Sequence, residues 1–341
     1  MATFFEMMLE TPINPVYAPE PEPTLDPTYF GTFTASYYSR FAFDDGFYHT
    51  FVGSGWDDYF RGDAGADTMV GNHGDDTLVG LDGNDFLQGA TGNDSLYGGR
   101  DDDTLMGGQD DDFLDSGTGD DVNIGGAGND TILGDEGADY IDGGDGVDTV
   151  DYSNSQAGVL VYLDDVDGTG HRKAYGGDAN GDFIKVGTIE RVIGSQYDDV
   201  MFGGAKSVHF LGLGGSDELR GSSQDDILVG GKNGAGAQGF DLLSGDYGDD
   251  TFWFQAGDSG GTTSIDLIRD FDIFGDDVLA FDVNDASNAH WKAVHHSHNG
   301  VKGALVEVTD IDANGNSYTS HEVFLFHTGL HLLGADDVLF V

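Results

Sequence analysis

Eleven aspartates recur at intervals of nine residues: Asp58, Asp67, Asp76, Asp85, Asp94, Asp103, Asp112, Asp121, Asp130, Asp139 and Asp148. Units such as Gly62-Asp63-Ala64-Gly65-Ala66-Asp67-Thr68-Met69-Val70 and Gly125-Gly126-Ala127-Gly128-Asn129-Asp130-Thr131-Ile132-Leu133 share the template G-G/x-x-G-x-D-x-U-x, with U a large apolar residue. So strict a phase predicts one small unit stacked many times. Each unit divides into a six-residue turn and a three-residue strand. Glycines at the first and fourth places are expected to take positive φ and turn the chain tightly. The first-place glycines are Gly62, Gly71, Gly80, Gly89, Gly98, Gly107, Gly125, Gly134 and Gly143. After the aspartate side chains alternate, so only U points inward. Those positions hold Phe60, Met69, Leu78, Leu87, Leu96, Leu105, Leu114, Ile132, Ile141 and Val150, and one unit departs with Asn123.

Three residues of strand cannot bury a core alone. Successive units must wind into a coil with two units per turn, and at a strand spacing of about 4.7 Å eleven units give roughly 25 Å of two-layered parallel sheet. A core one aliphatic layer thick does not offset the ordering entropy of so many glycines. Charge adds to the difficulty: from Gly53 to Tyr152 there are 26 acidic residues against Arg61 and Arg100, a net of 24 negative charges. Such a segment repels itself in plain buffer. Carboxylates and carbonyl-rich glycine turns are hard oxygen donors that suit calcium, with its six to eight ligands and flexible geometry, better than octahedral magnesium. Calcium is therefore expected as a structural element.

These residues resemble the repeats-in-toxin (RTX) family, whose hemolysin-type repeats bind calcium. The resemblance implies an all-β fold, a calcium-bound parallel β-roll in which the aspartate of one unit and that of the unit two later share an ion with backbone carbonyls of the glycine turns. Asp58, Asp76, Asp94, Asp112, Asp130 and Asp148 would line one edge with five sites, and Asp67, Asp85, Asp103, Asp121 and Asp139 the other with four. Nine ions would offset most of the charge. At the start of the array Trp56 replaces a turn glycine. A second, broken block from Gly194 carries Asp199, Asp217 and Asp226, then Asp241 and Asp250 after six inserted residues, Gly230 to Ala235. It offers up to three sites: Asp199 with Asp217, Asp226 with Asp250, and Asp217 with Asp241 if the insertion loops out. The part after the second block, through Ile268-Arg269-Asp270-Phe271 and Asp277-Val278-Leu279-Ala280-Phe281, resembles the C-terminal domain of serralysin-type proteases. The expected organisation is an apolar, proline-rich segment and cap (1–52), a first roll (53–152), a β spacer (153–193), a second roll (194–253), and a serralysin-like β domain with a type I secretion signal (254–341).

Composition agrees with export. There is no cysteine in 341 residues, so neither a disulfide nor a thiolate metal site exists. The N-terminus lacks the basic and apolar regions of a Sec signal, and no stretch reaches the roughly eighteen apolar residues of a membrane span. The resemblance implies an uncleaved C-terminal signal read by a type I secretion transporter. Asp336-Asp337-Val338-Leu339-Phe340-Val341 fits such a tail, and equally a last β-strand. All six prolines lie between Pro12 and Pro27, a semi-rigid linker separating Phe4-Phe5-Glu6-Met7-Met8-Leu9 from an aromatic segment at 29–48. The apolar start reads as a flexible tail or as a docking peptide for self-association or a cell-surface partner. With 13 basic against 63 acidic residues, no basic stripe exists to bind nucleic acid.

Catalytic motifs fail in detail. His321-Glu322 begins a zinc-protease pattern, but Leu325 stands where its second histidine belongs. Gly257-Asp258-Ser259-Gly260-Gly261 matches G-x-S-x-G without a strand-to-helix elbow. Asp310-Ile311-Asp312-Ala313-Asn314-Gly315 starts like an EF-hand loop but reads better as a hairpin turn between Leu305–Val308 and Val323–Phe326. His290, His295, His296 and His298 read as a solvated loop, with transition-metal binding as the sharper alternative. The expectation is a secreted, non-enzymatic calcium-folded protein with a structural, adhesive or surface-assembly role. The rival is an exported enzyme, or the accessory module of one (serralysin-, lipase- or alginate-epimerase-like), acting on extracellular polymer.

Overall fold

In the computed structural model the described residues are 32–34, 40–42, 48–164, 170–231, 240–255, 266–271, 277–282, 290–298, 301–311, 317–326 and 337–340. The proline-rich run, Ser259 and the loop after Ile311 fall outside them. The fold is an all-β parallel β-roll. Among the described residues the one helical element is a 3-10 turn, Gly177–Ala179, and no helix is long and apolar enough to cross a membrane.

The chain divides into two compact units, one comprising 1–150 with 181–189, the other 151–180 with 190–341. The spacer expected at 153–193 is thus shared between them. In the first unit one sheet stacks Thr32–Thr34, Thr50–Val52, Thr68–His73, Phe86–Thr91, Thr104–Gln109, Val122–Ala127, Tyr140–Asp145 and Phe183–Lys185 in that order. A second sheet stacks Arg40–Ala42, Tyr59–Arg61, Thr77–Asp82, Ser95–Arg100, Phe113–Gly119, Thr131–Leu133 and Thr149–Asp151. Register follows the repeat: Met69 lies beside Leu87 and Leu87 beside Leu105, while Leu78 lies beside Leu96 and Leu96 beside Leu114. Consecutive units therefore alternate between the sheets, because a chain that turns every nine residues returns to the same side after two.

All ten expected inward residues are fully buried. The first rung adds aromatic filling, with the Phe51 and Phe60 rings stacked at 5.3 Å. Asn123 is also fully buried, between Leu105 and Ile141, and its Nδ2 donates to Ser116 Oγ at 2.8 Å.

Two expectations need correction. Strands in the middle of the first block span six or seven residues, not three: Ser95–Arg100 continues past Tyr97 through Gly98 and Gly99, and Gly99 pairs with Gly117. Pairing runs into the turn because identical turns stack in register and can offer one another their backbone groups. In the second block the turns do not pair this way, and strands such as Val200–Phe202 and Glu218–Arg220 keep three residues. Positive φ follows the expectation in part. It occurs at the fourth place, as in Gly74 (φ 111°) and Gly92 (φ 118°), but at the second place, as in Gly108 (φ 131°), rather than at the first-place glycines Gly62, Gly71, Gly80 and Gly89. Their smallness serves close approach, described below.

In the second unit one sheet stacks Arg191–Ile193, His209–Leu211, Ile227–Val229, Thr251–Phe254, Val278–Phe281 and Val338–Phe340. The other stacks Leu160–Tyr162, Val200–Phe202, Glu218–Arg220, Leu242–Ser244 and Asp266–Ile268, then Ser317–Phe326, Val301–Ile311 and His290–His298. The hairpin expected around Leu305–Val308 and Val323–Phe326 is present as an antiparallel pair. The histidine cluster, read as a loop, is a nine-residue strand antiparallel to Val301–Ile311, because the alternating residues after Val301 offer it a ladder. The C-terminal Val338–Phe340 is a parallel strand beside Val278–Phe281.

The second-place positions Leu81 (φ 94°) and Ala90 (φ 92°) hold side chains in a conformation that suits glycine. Leu81→Gly is expected to stabilise the calcium-loaded protein by about 1 kcal/mol, the strain of left-handed backbone at a β-carbon exceeding the entropy glycine loses. Thermal denaturation in saturating calcium measures it; an unchanged or lower midpoint contradicts the strain.

Candidate calcium ladders

Each repeat aspartate ends a turn and begins a strand, so the stacking that pairs residue i with i+18 also stacks the carboxylates. Along one edge the Asp58 N–H donates to Asp76 Oδ1 (2.7 Å), Asp76 to Asp94 (2.8 Å), Asp94 to Asp112 (2.8 Å), Asp112 to Asp130 (2.9 Å) and Asp130 to Asp148 (2.8 Å). Along the other Asp67 donates to Asp85 (2.6 Å), Asp85 to Asp103 (2.7 Å), Asp103 to Asp121 (2.7 Å) and Asp121 to Asp139 (2.9 Å). The structure thus assembles the two rows read from the sequence. In the second unit Asp199 donates to Asp217 (2.8 Å), Asp217 to Asp241 (2.9 Å) and Asp226 to Asp250 (2.9 Å). The inserted residues leave the register intact, since Glu218 lies beside Leu242 and Ile227 beside Thr251.

Four ladder members escaped the sequence reading. Asp139 donates to Asp182 (3.1 Å), Asp241 to Asp266 (3.0 Å) and Asp250 to Asp277 (2.9 Å), while at the start the His49 N–H donates to Asp67 (2.6 Å). Asp182, Asp266 and Asp277 break the period of nine, and His49 keeps it with a different residue type. A usable signal was the local pattern of ladder residue, any residue, apolar residue: Asp182-Phe183-Ile184, Asp277-Val278-Leu279 and His49-Thr50-Phe51, whose third members are all fully buried.

In the interior of both rows one carboxylate oxygen is engaged by backbone and the other faces the glycine turn. Oδ2 of Asp76, Asp85, Asp94, Asp103, Asp112, Asp130, Asp139 and Asp217 is buried with no hydrogen-bond partner. A β-carbon at Gly71 would overlap Asp76 Oδ2 and lie 2.8 Å from the Gly89 carbonyl oxygen; at Gly80 it would overlap Asp85 Oδ2 and lie 2.7 Å from that of Gly98. Gly107 and Gly125 repeat the arrangement with Asp112 and Asp130. First-place glycine therefore keeps open a small space shared by a carboxylate oxygen and a carbonyl oxygen two units on. Gly134 is buried at the corresponding place.

A second ladder runs outside the first. The Asp75 N–H donates to Asp57 Oδ1 (3.1 Å), Asn93 to Asp75 (2.9 Å), Asp111 to Asn93 (3.1 Å) and Asn129 to Asp111 (2.7 Å). These exposed side chains satisfy turn N–H groups and leave the inner carboxylates facing the glycines.

The metal-free electrostatics are unfavourable. Burial, opposed by the donated N–H, raises Asp76 and Asp85 from the ordinary carboxylate value to about 7 and Asp103, Asp112 and Asp139 to about 8, with neighbouring ladder carboxylates adding to the rise. Asp217, pressed by Asp241 as well as by burial, reaches about 9. Buried oxygens of one sign, unpartnered and grouped with carbonyls, fit a hard divalent cation. Calcium would be held by the ladder aspartates and the carbonyls of the glycine turns, and when bound it would supply the charge that lets neighbouring turns approach.

The sequence matches the RTX calcium-binding nonapeptide repeat (4 copies) at residues 52–87, 79–114, 88–122, 115–150, 209–233 and 235–259. Among solved structures it is similar to the AlgE6R3 subunit of the Azotobacter vinelandii mannuronan C5-epimerase, with 30% identity over 42% of this chain and 78% of that one, at a TM-score of 0.32. It is also similar to the extracellular lipase LipA from Serratia marcescens, with 16% identity over 75% of this chain and 42% of that one, at a TM-score of 0.27. No curated protein matches the chain. None of these similarities is to a serralysin-like domain.

Two outcomes follow. A buried carboxylate raised on folding contributes stability to the metal-free roll only while protonated: present below about pH 4, lost as pH rises through about 6 to 8. In chelator, circular dichroism should therefore show more β-structure near pH 4.5 than near pH 8, and calcium affinity should rise over the same interval as protons cease to compete. A metal-free roll more stable at the higher pH contradicts the burial of these groups. Gly89→Ala, which overlaps the Asp94 carboxylate, should shift the calcium midpoint of folding upward several-fold, whereas Gly55→Ala, with no neighbour within 4 Å, should leave it unchanged.

Proposed function

The chain belongs to the RTX calcium-binding repeat family, and on that premise we propose that it is a non-enzymatic protein, exported by a type I secretion transporter, that folds on calcium outside the cell and serves a structural, adhesive or surface-assembly role. One observation carries the reading: the roll is stacked on rows of buried, like-charged carboxylates, and the second oxygens of Asp76, Asp85, Asp94, Asp103, Asp112, Asp130 and Asp139 have no hydrogen-bond partner. A fold built this way depends on its ion. Extracellular calcium modules have dissociation constants of about 10⁻⁴–10⁻³ M, far above cytosolic free calcium, so the chain stays loose enough to be transported inside and folds outside. Even at a few times the constant, roughly 1 kcal/mol per site summed over coupled sites is a large driving force. On this reading the segment Phe4-Phe5-Glu6-Met7-Met8-Leu9 carries self-association or the contact with a cell-surface partner.

The other reading is an accessory module for an extracellular polymer. A single feature favours it. In a chain of net charge −50, the Tyr162 and Phe202 rings stack at 5.0 Å with the Arg172 guanidinium 5.3 Å from the Tyr162 centroid, and the Lys173 ammonium lies 6.0 Å from that of Tyr175. Aromatic faces beside cations suit an acidic saccharide, whereas the charge of the whole chain repels one.

Titrating the purified chain with calcium from chelator to about 10 mM, with far-ultraviolet circular dichroism and light scattering on the same samples, tests the proposal. A steep rise in β-structure accompanied by a defined larger particle is the expected result, and deletion of residues 1–10 should then reduce particle size. Folding to a monomer that binds alginate in calcium moves the reading to the accessory module, and a shallow one-site titration removes the ion-dependent fold.

A further inference from the structure

His49 opens the ladder of Asp67, Asp85 and Asp103, where the repeat would place an aspartate. Strand Thr50–Val52 pairs in register with Thr68–His73, Thr50 beside Thr68 and Phe51 beside Met69, so His49 stands opposite Asp67 as Asp67 stands opposite Asp85. The substitution replaces an oxygen donor by a nitrogen donor. His49 Nδ1 lies 3.3 Å from Asp67 Oδ1. The ring is held against Phe51, their centroids 6.0 Å apart.

A third group completes the cluster. Asp63, at the second place of the turn before Asp67, donates its N–H to Asp67 Oδ2 (3.2 Å) and accepts the Gly65 N–H at Oδ1 (3.1 Å). In the seven following turns the second-place residue, from Asn72 to Gly126, has positive φ; Asp63 does not. This turn is built differently from the others, and its carboxylate ends buried. His49, Asp63 and Asp67 are 2%, 6% and 1% exposed, and one ligand atom from each lies within 4.8 Å of the others.

We propose that His49, Asp63 and Asp67 form a binding site for a divalent transition metal of the zinc class at the N-terminal start of the Asp67 ladder, chemically distinct from the all-oxygen calcium rungs above it. Calcium takes oxygen ligands, whereas imidazole with carboxylates suits zinc and its neighbours. Two carboxylates and a neutral imidazole balance a doubly charged ion. Bonds of about 2.0–2.2 Å put tetrahedral ligands roughly 3.5 Å apart, a contraction within reach of small side-chain rotations. Three protein ligands leave a fourth position for a water. The inference rests on the geometry of the roll and is independent of whether the protein assembles on a surface.

The full chain, folded in saturating calcium, is titrated with zinc, and bound metal is counted by elemental analysis after desalting. Because the strand His290–His298 carries four further histidines, the count is compared with that of His49→Gln, and with a chain in which His290, His295, His296 and His298 are all replaced by glutamine. One zinc equivalent should disappear in His49→Gln and persist in the fourfold variant, with calcium stoichiometry unchanged in both. X-ray absorption of the fourfold variant should show one imidazole in an otherwise oxygen shell. If His49→Gln fails to fold in calcium, Asp63→Asn carries the test, with an expected loss of at least tenfold in zinc affinity. Equal zinc content with and without His49, an unchanged affinity in Asp63→Asn, or the loss of one calcium equivalent in His49→Gln would each overturn the site.

Discussion

The carboxylate that begins each strand is the group on which the fold depends. Its Oδ1 accepts the N–H of the ladder residue one turn earlier, which fixes the distance between turns, and its Oδ2 is pressed against a glycine and a carbonyl of the next turn. One side chain thus sets the spacing of the coil and supplies half of a cation site. The same burial that makes it a good ligand makes it an expensive charge: Asp103 and Asp112 move to about 8 without a cation. Hydrophobic burial cannot compensate, since each unit contributes one inward residue such as Leu96 or Leu105 and the rest of its buried surface is largely glycine. The roll is a case in which electrostatics decides folding and the apolar layer decides register.

Much of this was legible because the period is strict. Where residue i repeats at i+9, the apolar positions, the two sheets and both rows of aspartates follow from counting, and even the six-residue insertion from Gly230 to Ala235 could be looped out without losing the Asp217–Asp241 pairing. What counting missed is what leaves the period. Asp182, Asp266 and Asp277 reach their partners across 43, 25 and 27 residues, and His49 keeps the phase but not the residue type. The role of first-place glycine was also misread. A preference for positive φ explains Gly74 and Gly92, yet Gly71 and Gly89 are glycine because a β-carbon would occupy the space of a carboxylate, a tertiary constraint invisible to local propensity.

The unit from Ser116 to Ile124 shows how far the pattern can bend. Serine takes the first-place glycine position and asparagine the inward apolar one, and the two changes are linked by the hydrogen bond from Asn123 Nδ2 to Ser116 Oγ. The pair is only half satisfied, since Asn123 Oδ1 is buried without a partner, a cost of about 1–3 kcal/mol relative to an apolar residue. The apolar positions stacked on either side, Leu105 and Ile141, are intact, so the interruption is confined to one rung. Such confinement is characteristic of a fold in which each rung touches only its neighbours.

The same locality gives the ends of a ladder their significance. Inside a row every carboxylate has another above and below, and an oxygen-seeking cation is the natural partner at each interval. At the first rung the preceding neighbour is His49, and the turn beneath Asp67 is rebuilt so that Asp63 closes the space. An aspartate there would have extended the repulsion by one more charge; a histidine adds no negative charge and changes which ions can enter. The carboxylate ladder of Asp67, Asp85 and Asp103 therefore begins at a donor set that includes an imidazole, and that difference in chemistry separates the start of the ladder from its interior.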